Sequence, residues 1–537
     1  MDYDFIVIGA GSAGCVVASR LSESGRHRVL LLEAGPSDLR LFVQMPIGYG
    51  RTFHDPRVNW KYLTEPVPGL GGRINYWPRG KLLGGSSSIN AMVYVRGQAE
   101  DFDEWEALGN RGWGWRDVLG YYRRIEDHAL GESEHHGAHG PLHVTDISND
   151  AHPLCRSFIA AGEEVGLPFN HDLNGKSQEG VGYYQITTRG GLRLSSARAF
   201  LWPAKRRRNL RIETMAQATR IVLEGRRAVA VEYARHGERK RARAGREIIL
   251  SCGAVNSPQL LQLSGIGPAR LLGSLGIDVS CDVQGVGRNL QDHLCYDHVY
   301  RSRRKTLNDE LYPLWGKLVA GLRYLAFRRG PLSLSVNQAG GFLRTSPGLS
   351  RPNMQLYFSP LSYEKTPPGT RALMKPDPFS GFGMSVSPCR PTSSGHLEIR
   401  SASPHDPPAI HPNYLSTDHD VAELLEGARF LRRLAATPAL SKVIAAELKP
   451  GPAAATDEEL VADIRAHAYS VFHPAGTCRM GKDPASCVVD ERLRVRAISG
   501  LRVIDASIFP TVPSGNINGP CIMAGAKGAD LILEDMC

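Results

Sequence analysis

The chain has 537 residues, 42% apolar and 22% charged, a composition typical of folded globular proteins that excludes a disordered or fibrous chain. Its formal net charge of +10 is modest for this length, so neither nucleic acid nor anionic lipid is required as a partner. No run of 18 or more apolar residues occurs, so no membrane-spanning helix is predicted. The residues before the first strand lack the basic and apolar regions of a secretory signal, so none is expected. The ten cysteines lack C-x-x-C spacing, which favours free thiols and a cytoplasmic location.

A strand, a glycine-rich turn and a helix are predicted at the start of the chain. Residues 4–9 are continuously apolar, as in a buried parallel strand, and Gly9-x-Gly11-x-x-Gly14 follows at once. Gly9 allows a tight turn, Gly11 lets the backbone approach a pyrophosphate, and Gly14 lets the helix pack closely on the strand. The helix N-terminus would then offer free N–H groups to the phosphates, so the pattern predicts a dinucleotide site.

A second strand, Val29–Leu32, ends at Glu33. A carboxylate at this place accepts hydrogen bonds from a ribose 2′-OH and repels a 2′-phosphate, which disfavours NADP. The motif alone leaves both NAD and FAD open.

The middle of the chain alternates between loops and strands. Residues 36–80 are rich in Gly, Pro and aromatic residues and predict long loops, and Gly80–Gly97 is a loop of small residues that could approach a flat ring closely. Residues 210–250 predict strands and hairpins. The basic runs at 205–208 and 235–246 contain no interleaved aromatic residues, so we interpret them as solvated surface and predict no nucleic-acid binding.

Two further segments distinguish FAD from NAD as the cofactor. Residues 80–92 (GKLLGGSSSINAM) and 253–267 (GAVNSPQLLQLSGIG) resemble the two signature patterns of the glucose–methanol–choline (GMC) family of flavin oxidoreductases. Residues 77–80 (WPRG), 286–293 (VGRNLQDH) and 473–481 (HPAGTCRMG) are similar to further family stretches. The resemblance covers essentially the whole chain and implies FAD as the cofactor.

The resemblance implies an α/β fold in which two discontinuous domains interleave. A Rossmann-like FAD-binding domain would comprise residues 1–155, 195–300 and 465–537. A substrate-binding domain, with a large antiparallel sheet and helices behind it (an α+β part), would comprise residues 156–194 and 301–464.

The implied reaction is oxidation of an alcohol to an aldehyde or ketone by hydride transfer to flavin N5. His473 matches the family's active-site histidine and would take the hydroxyl proton, a role that suits a group with a near-neutral pKa. Asn518 is assigned to the family's second catalytic position, His or Asn, where its amide would donate to the substrate oxygen. His473 would then be the only base.

The resemblance and the dinucleotide motif together give the expected cofactor contacts. They are Gly9, Gly11, Ser12, Ala13, Gly14, Glu33, Ala34, Trp60, Arg79, Gly80, Leu83, Gly84, Gly85, Ser86, Asn90, Ala91, Met92, Val93, Ala218, Asp505, Ala506, Asn518, Gly519 and Pro520. Some relatives tether FAD through a histidine at the position of Ile89, so the sequence predicts non-covalent FAD.

The expected substrate contacts are Gln338, Phe342, Tyr357 and Phe472. Choline-oxidising relatives carry a glutamate in the stretch that we match to residues 338–342. A neutral Gln338 there would not pair with a trimethylammonium group, so the sequence predicts a small uncharged alcohol. Further pocket walls are expected from residues 42–60 and 355–365.

Two other features have structural interpretations. His135, His136, His139 and His143 crowd one loop, but no obvious ligand set is complete, and we predict no metal. Residues 312–329 predict a partly amphipathic helix packed behind the substrate sheet with its cationic edge in water. Peripheral contact with the inner membrane face is the alternative for this helix.

The sequence favours a dehydrogenase that passes electrons to a quinone or another non-oxygen acceptor. An alcohol oxidase that uses oxygen and a choline dehydrogenase are alternatives of the same class. A hydroxynitrile lyase that keeps FAD without redox use is the alternative from another class.

Overall fold

The computed structural model describes residues 2–364 and 375–536, so the last residue of the pocket wall predicted at 355–365 lies outside the described residues. Two seven-stranded sheets dominate the fold, and most of the buried apolar side chains lie in two large clusters, one around each sheet.

The first sheet is mainly parallel and contains the predicted βαβ unit. Its strands are Asp2–Ile8, Val29–Leu32, Leu210–Glu213, Ala216–Glu224, Arg227–Arg235, Glu238–Leu250 and Leu501–Val503. The strand Asp2–Ile8 lies between Val29–Leu32 and Glu238–Leu250, parallel to both. The side chains of Val29–Leu32 are all buried, as is usual for a parallel strand covered on both faces. The predicted strands and hairpins of residues 210–250 are present.

The second sheet is antiparallel throughout. Its strands are Gly180–Tyr183, Leu294–Ser302, Ala339–Leu343, Met354–Ser359, Gly381–Pro388, Ile444–Lys449 and Tyr469–Ser470. The strand Leu294–Ser302 belongs to this sheet, so the predicted domain boundary at residue 300 falls inside a strand. The predicted class, an α/β fold with an antiparallel second sheet, is confirmed.

Short two-stranded ribbons connect the larger elements. They pair Tyr62–Leu63 with Tyr76–Trp77, Glu126–His128 with Leu142–Val144, Thr188–Arg189 with Leu192–Arg193, Ile266–Gly267 with Cys281–Asp282, Tyr363–Glu364 with Lys375–Pro376, and His396–Glu398 with Ala409–His411.

The helices cover the sheets, and the first and last of them begin close to each other. Their bounds are Ser12–Leu21, Leu41–Gln44, Tyr49–Thr52, Ala99–Ala107, Trp115–Ile125, Leu154–Glu164, Trp202–Ala204, Gly253–Leu263, Ala269–Ser274, Leu307–Leu311, Leu314–Phe327, Asp418–Ala435, Pro438–Ser441, Asp457–His467 and Asn518–Glu534. The first and last of these helices pack against each other. Ser12 Oγ donates to Asn518 Oδ1 over 2.8 Å, so the two N-termini meet.

The helix predicted at residues 312–329 differs from expectation in the face that it exposes. It spans Leu314–Phe327 and buries Ala320 and Tyr324, while large apolar side chains, not only the cationic ones, lie in water. Within the described residues, no helix combines the length and apolar character needed to cross a membrane.

Candidate active site

A cavity of about 770 Å³ extends from the glycine-rich turn of the first sheet to the antiparallel second sheet. Gly11, Glu33 and Ala218 line one end, and Tyr357 and His473 line the other. Such a shape suits an extended cofactor with a small substrate at its far end.

The glycine-rich turn brings three backbone segments into direct contact. A Cβ atom on Gly14 would lie 1.9 Å from the carbonyl oxygen of Gly9, so the first helix packs on the strand end only without a side chain there. A Cβ atom on Gly85 would lie 2.7 Å from the Cα atom of Gly11, and Gly85 itself has a positive φ of 52°. The loop and the helix N-terminus therefore form a bare backbone cradle that fits a pyrophosphate.

Glu33 is held at the tip of its strand by backbone donors. Its two carboxylate oxygens accept from the N–H groups of Ala10 and Gly35, over 3.0 and 2.9 Å. Burial raises the pKa of Glu33 to about 7, although these hydrogen bonds and the charge of Lys81 oppose the rise. The carboxyl group is thus fixed on the cavity wall, where it fits a ribose hydroxyl.

His473 lies in a chain of hydrogen bonds that determines which of its nitrogens carries the proton. His293 Nε2 is 2.9 Å from the carbonyl oxygen of Cys389, which can only accept, so this nitrogen carries a hydrogen. In neutral His293 the Nδ1 atom must then accept from His473 Nδ1, 3.0 Å away. His473 Nε2 consequently carries no hydrogen and keeps its lone pair, which is the state that a general base needs.

Burial lowers the pKa of His473 well below its usual value, and the nearby His293 and Arg79 act in the same direction. Burial also lowers the pKa of His293 to about 4. Both rings are therefore neutral near pH 7, as the hydrogen-bond chain requires.

The amide beside His473 is Asn516, which corrects the assignment of Asn518. Asn516 Nδ2 lies 3.1 Å from His473 Nε2, and Asn516 Oδ1 accepts from Gln355 Nε2 over 3.2 Å. The second contact fixes the amide with its donor toward His473. Asn518 accepts from Ser12 instead, because it opens the last helix while Asn516 lies in the preceding turn. The sequence motif contains both asparagines, and its spacing did not separate them.

Two charged side chains fix the backbone around His473. Asp292 Oδ1 accepts from the His473 N–H over 2.7 Å, and its other oxygen accepts from Ser470 and Tyr414. Arg79 Nη2 donates to the carbonyl oxygen of Phe472 over 2.6 Å. Burial raises the pKa of Asp292 to about 6 and lowers that of Arg79 to about 10. Asp292 and His293 were not predicted as site residues, although they belong to the matched segment 286–293.

Most of the expected cofactor residues line the cavity. They are Gly9, Gly11, Ser12, Ala13, Glu33, Ala34, Trp60, Arg79, Gly80, Gly85, Ser86, Asn90, Ala91, Met92, Val93, Ala218, Asp505, Ala506 and Asn518. The others stand behind its wall: Gly14, Leu83, Gly84, Gly519 and Pro520. Gly14 acts there through close packing, as its motif position implies.

Of the expected substrate residues, Tyr357 and Phe472 line the cavity, whereas Gln338 and Phe342 do not. Gln338 Oε1 accepts from the backbone N–H of His152 over 2.7 Å, so this side chain points away from the cavity. Phe342 is fully buried in an apolar cluster that also contains Tyr357 and Cys295, and only the latter two line the cavity. The expectation of an uncharged substrate therefore loses its basis in Gln338.

The strand Leu294–Ser302 supplies a different polar group to the substrate end. Cys295, Asp297 and Val299 line the cavity together, since alternate residues of a strand share one face. Asp297 Oδ1 accepts from the hydroxyl of Tyr469 over 2.7 Å. A carboxylate therefore does lie at the substrate end, and it was not among the predicted site residues.

One group of side chains in the described residues has metal-ligand geometry, namely His128, His136 and Asp172. Of the four histidines considered from sequence, it contains only His136. Its atoms already bond to protein groups: His136 Nε2 lies 2.7 Å from Asp172, and Arg96 Nη2 lies 2.7 Å from His136 Nδ1. A buried guanidinium at this distance disfavours a bound cation.

Comparisons with known proteins agree with this geometry. The chain is 44% identical to mouse mitochondrial choline dehydrogenase, over 99% of this chain and 89% of that one. It is equally identical to a Pseudomonas putida alcohol dehydrogenase [acceptor], over 99% and 96% of the two chains. A pyridoxine 4-oxidase structure from Mesorbium loti has a TM-score of 0.87 at 32% identity and covers 98% of each chain.

A formate oxidase variant from Aspergillus oryzae, whose structure concerns FAD modification, has a TM-score of 0.91 at 27% identity and covers 99% of this chain and 98% of its own. Residues 3–295 match the N-terminal and residues 391–525 the C-terminal GMC oxidoreductase family. The chain therefore belongs to the GMC oxidoreductase family, as a flavoprotein that acts on CH–OH donors with FAD as its cofactor.

Proposed function

We propose that this protein oxidises an alcohol to an aldehyde or ketone, with His473 as the base. The observation that carries the proposal is the pair formed by His473 Nε2 and Asn516 Nδ2, 3.1 Å apart at the substrate end of the cavity. FAD, when bound along the glycine cradle, would supply the acceptor for the hydride of the carbinol carbon.

An alcohol hydroxyl that contacts both groups, in place of their direct hydrogen bond, would make complementary contacts. Its proton would point to the Nε2 lone pair, and its oxygen would accept from the Asn516 amide. As the proton moves to His473, the amide donor stabilises the negative charge that develops on the oxygen. Gln355 keeps the amide from rotating, so the donor stays in place during the reaction.

We propose that FAD is held without a covalent bond. Ile89, on the cavity wall, is the residue at which some relatives carry a tethering histidine, and its hydrocarbon side chain forms no such bond. We also place the protein in a reducing compartment such as the cytoplasm, since the nine cysteines that the structure describes are all free thiols.

We propose a quinone or another non-oxygen compound as the electron acceptor. The similar Pseudomonas putida protein is named for an unspecified acceptor, whereas similar proteins from Vibrio and Rhizobium are named oxygen-dependent choline dehydrogenases. Reduction of the protein by substrate under nitrogen, followed by admission of air or a quinone analogue, tests this choice. Faster return of the flavin colour with air than with the quinone would contradict it.

A cationic alcohol such as choline is the second candidate substrate, and Asp297 is the observation that favours it. The carboxylate lies beside Tyr469 and Tyr363 on the cavity wall, and a trimethylammonium group is attracted both by a carboxylate and by aromatic faces. A small uncharged alcohol remains the first candidate, because the contacts of its hydroxyl with His473 and Asn516 require no charged partner.

Asp297→Asn decides between the two substrate classes. If the substrate is cationic, this change raises the KM for choline by about tenfold or more and leaves neutral alcohols nearly unaffected. Asp463→Asn is the matched control, because Asp463 also lines the cavity but accepts from Tyr296. Faster flavin reduction by neutral alcohols than by choline in the unmodified protein would favour the uncharged class.

A further inference from the structure

The helix Leu314–Phe327 turns a continuous apolar face to water. Its exposed apolar side chains are Leu314, Trp315, Leu318, Val319, Leu322, Leu325 and Phe327. The side chain positions of Leu314, Leu318 and Leu322 recur every four residues, so they form one stripe, and Leu314 is 85% exposed. The opposite face is anchored, since Tyr324 is buried and its hydroxyl donates to the carbonyl oxygen of Gly191 over 3.1 Å.

Positive charge surrounds this apolar stripe. Lys317 and Arg323 lie at its two borders, and the helix itself contains no acidic residue. Residues 301–330 contain eight Lys or Arg, all exposed, against two acids, Asp309 and Glu310. An apolar stripe with cationic borders matches the boundary between acyl chains and anionic headgroups.

We propose that this helix docks the protein on an anionic lipid bilayer. The helix would lie in the plane of the interface, with its apolar stripe among the acyl chains and its Lys and Arg side chains among the headgroups. A second copy of this chain fits less well, because a two-fold contact would bring the basic borders of both copies together.

The position of the helix relative to the cavity gives the docking a consequence. Ala320 packs in the same apolar cluster as Tyr49, Val336 and Leu361, which line the substrate end. Docking would therefore hold the substrate end beside the bilayer, where apolar alcohols and quinones concentrate. This consequence rests on the proposed function, whereas lipid binding itself does not.

Sedimentation of the FAD-loaded protein with vesicles tests the docking. We expect binding to phosphatidylcholine vesicles that contain about one third phosphatidylglycerol, and much weaker binding to phosphatidylcholine alone. Leu322→Ser with Leu325→Ser should weaken binding by about tenfold or more. Leu108→Ser with Leu130→Ser is the matched control, since both leucines are exposed elsewhere, and it should bind like the unmodified protein.

A second measurement locates the contact. The structure describes all seven tryptophans, and Trp315 is the exposed one among them. Brominated lipids should therefore quench the fluorescence of Trp315, and Trp315→Phe should remove most of this quenching. The proposal is overturned if the unmodified protein does not bind anionic vesicles, if both double variants bind equally, or if the helix is covered in a dimer that forms without lipid. The Leu322→Ser, Leu325→Ser variant should still oxidise alcohols in solution without lipid. A loss of vesicle binding with this activity retained concerns the docking alone, whereas a lack of alcohol oxidation by the unmodified protein concerns the proposed function.

Discussion

The protonation state of His473 depends on a residue that need not touch the substrate. His293 is fixed by the carbonyl oxygen of Cys389 and accepts the Nδ1 proton of His473, so it acts as a positioning residue. The lone pair on His473 Nε2 is therefore set by a backbone carbonyl two hydrogen bonds away.

Replacing His293 by Ala should lower kcat by about 10- to 100-fold with little change in KM, because His473 then samples the wrong tautomer. The acid limb of the pH profile should also move to higher pH, since His293 is one cause of the low pKa of His473. His293→Asn, whose amide oxygen can accept, should restore part of the rate. Steady-state kinetics from pH 5 to 9 measure both effects, and an unchanged pH profile would contradict this role.

Asn516 and Asn518 also have different expected roles, one beside His473 and the other beside Ser12. Asn516→Ala removes the donor beside His473 and should lower the rate of flavin reduction by about 10²-fold. Asn518→Ala removes the contact to Ser12 and should act mainly on FAD affinity. Rapid-mixing rates at saturating FAD compare the two variants, and a larger loss of rate for Asn518→Ala would restore the original assignment.

At the level of elements, the close packing of the first helix on the end of the first strand shapes the part of the cavity that we expect to hold the FAD pyrophosphate. Gly14→Ala places a Cβ atom 1.9 Å from the Gly9 carbonyl oxygen, so the helix must move away. We expect loss of bound FAD and a fall of about 1–3 kcal/mol in the free energy of unfolding. Gly273→Ala is the control, because nothing lies within 4 Å of its added Cβ. Absorbance near ~450 nm measures the bound FAD, and denaturant unfolding measures the free energy of unfolding.

The elements with strong local signals were predictable from sequence. Val29–Leu32 is a short apolar run bounded by turn residues, and the structure has the same bounds. The predicted contacts of Gln338 with substrate and of Asn518 with the reacting oxygen were wrong. Successive side chains of a strand or turn point in different directions, and a motif match does not show which of them points into the cavity. Asp297 was missed because its face became visible only once the strand was paired in the second sheet.

At the scale of the whole molecule, the cavity encloses a cofactor that should leave when the protein unfolds. Because Ile89 offers no tethering group, acid or heat denaturation followed by filtration should release all of the yellow colour into the filtrate. Colour retained on the precipitated protein would contradict non-covalent binding.

At the same scale, the fold buries the residue that we propose as the base. His473 lines the cavity and is only 8% exposed, so its Nε2 lone pair is largely shielded from bulk water. The depressed pKa of His473 predicts that the rate stays constant as the pH falls from 8 to about 6.5, because the base remains unprotonated throughout.

The most direct test of the central claim is the rate of flavin reduction by alcohols without oxygen, in the unmodified protein and in His473→Ala. The measurement mixes each protein with a panel of neutral alcohols and choline, and follows the absorbance near ~450 nm. We predict that at least one alcohol bleaches the unmodified protein and that His473→Ala, with FAD still bound, is slower by about 10²- to 10⁴-fold. An equal rate in both proteins would contradict the role of His473, and no bleaching by any alcohol would contradict the proposed reaction.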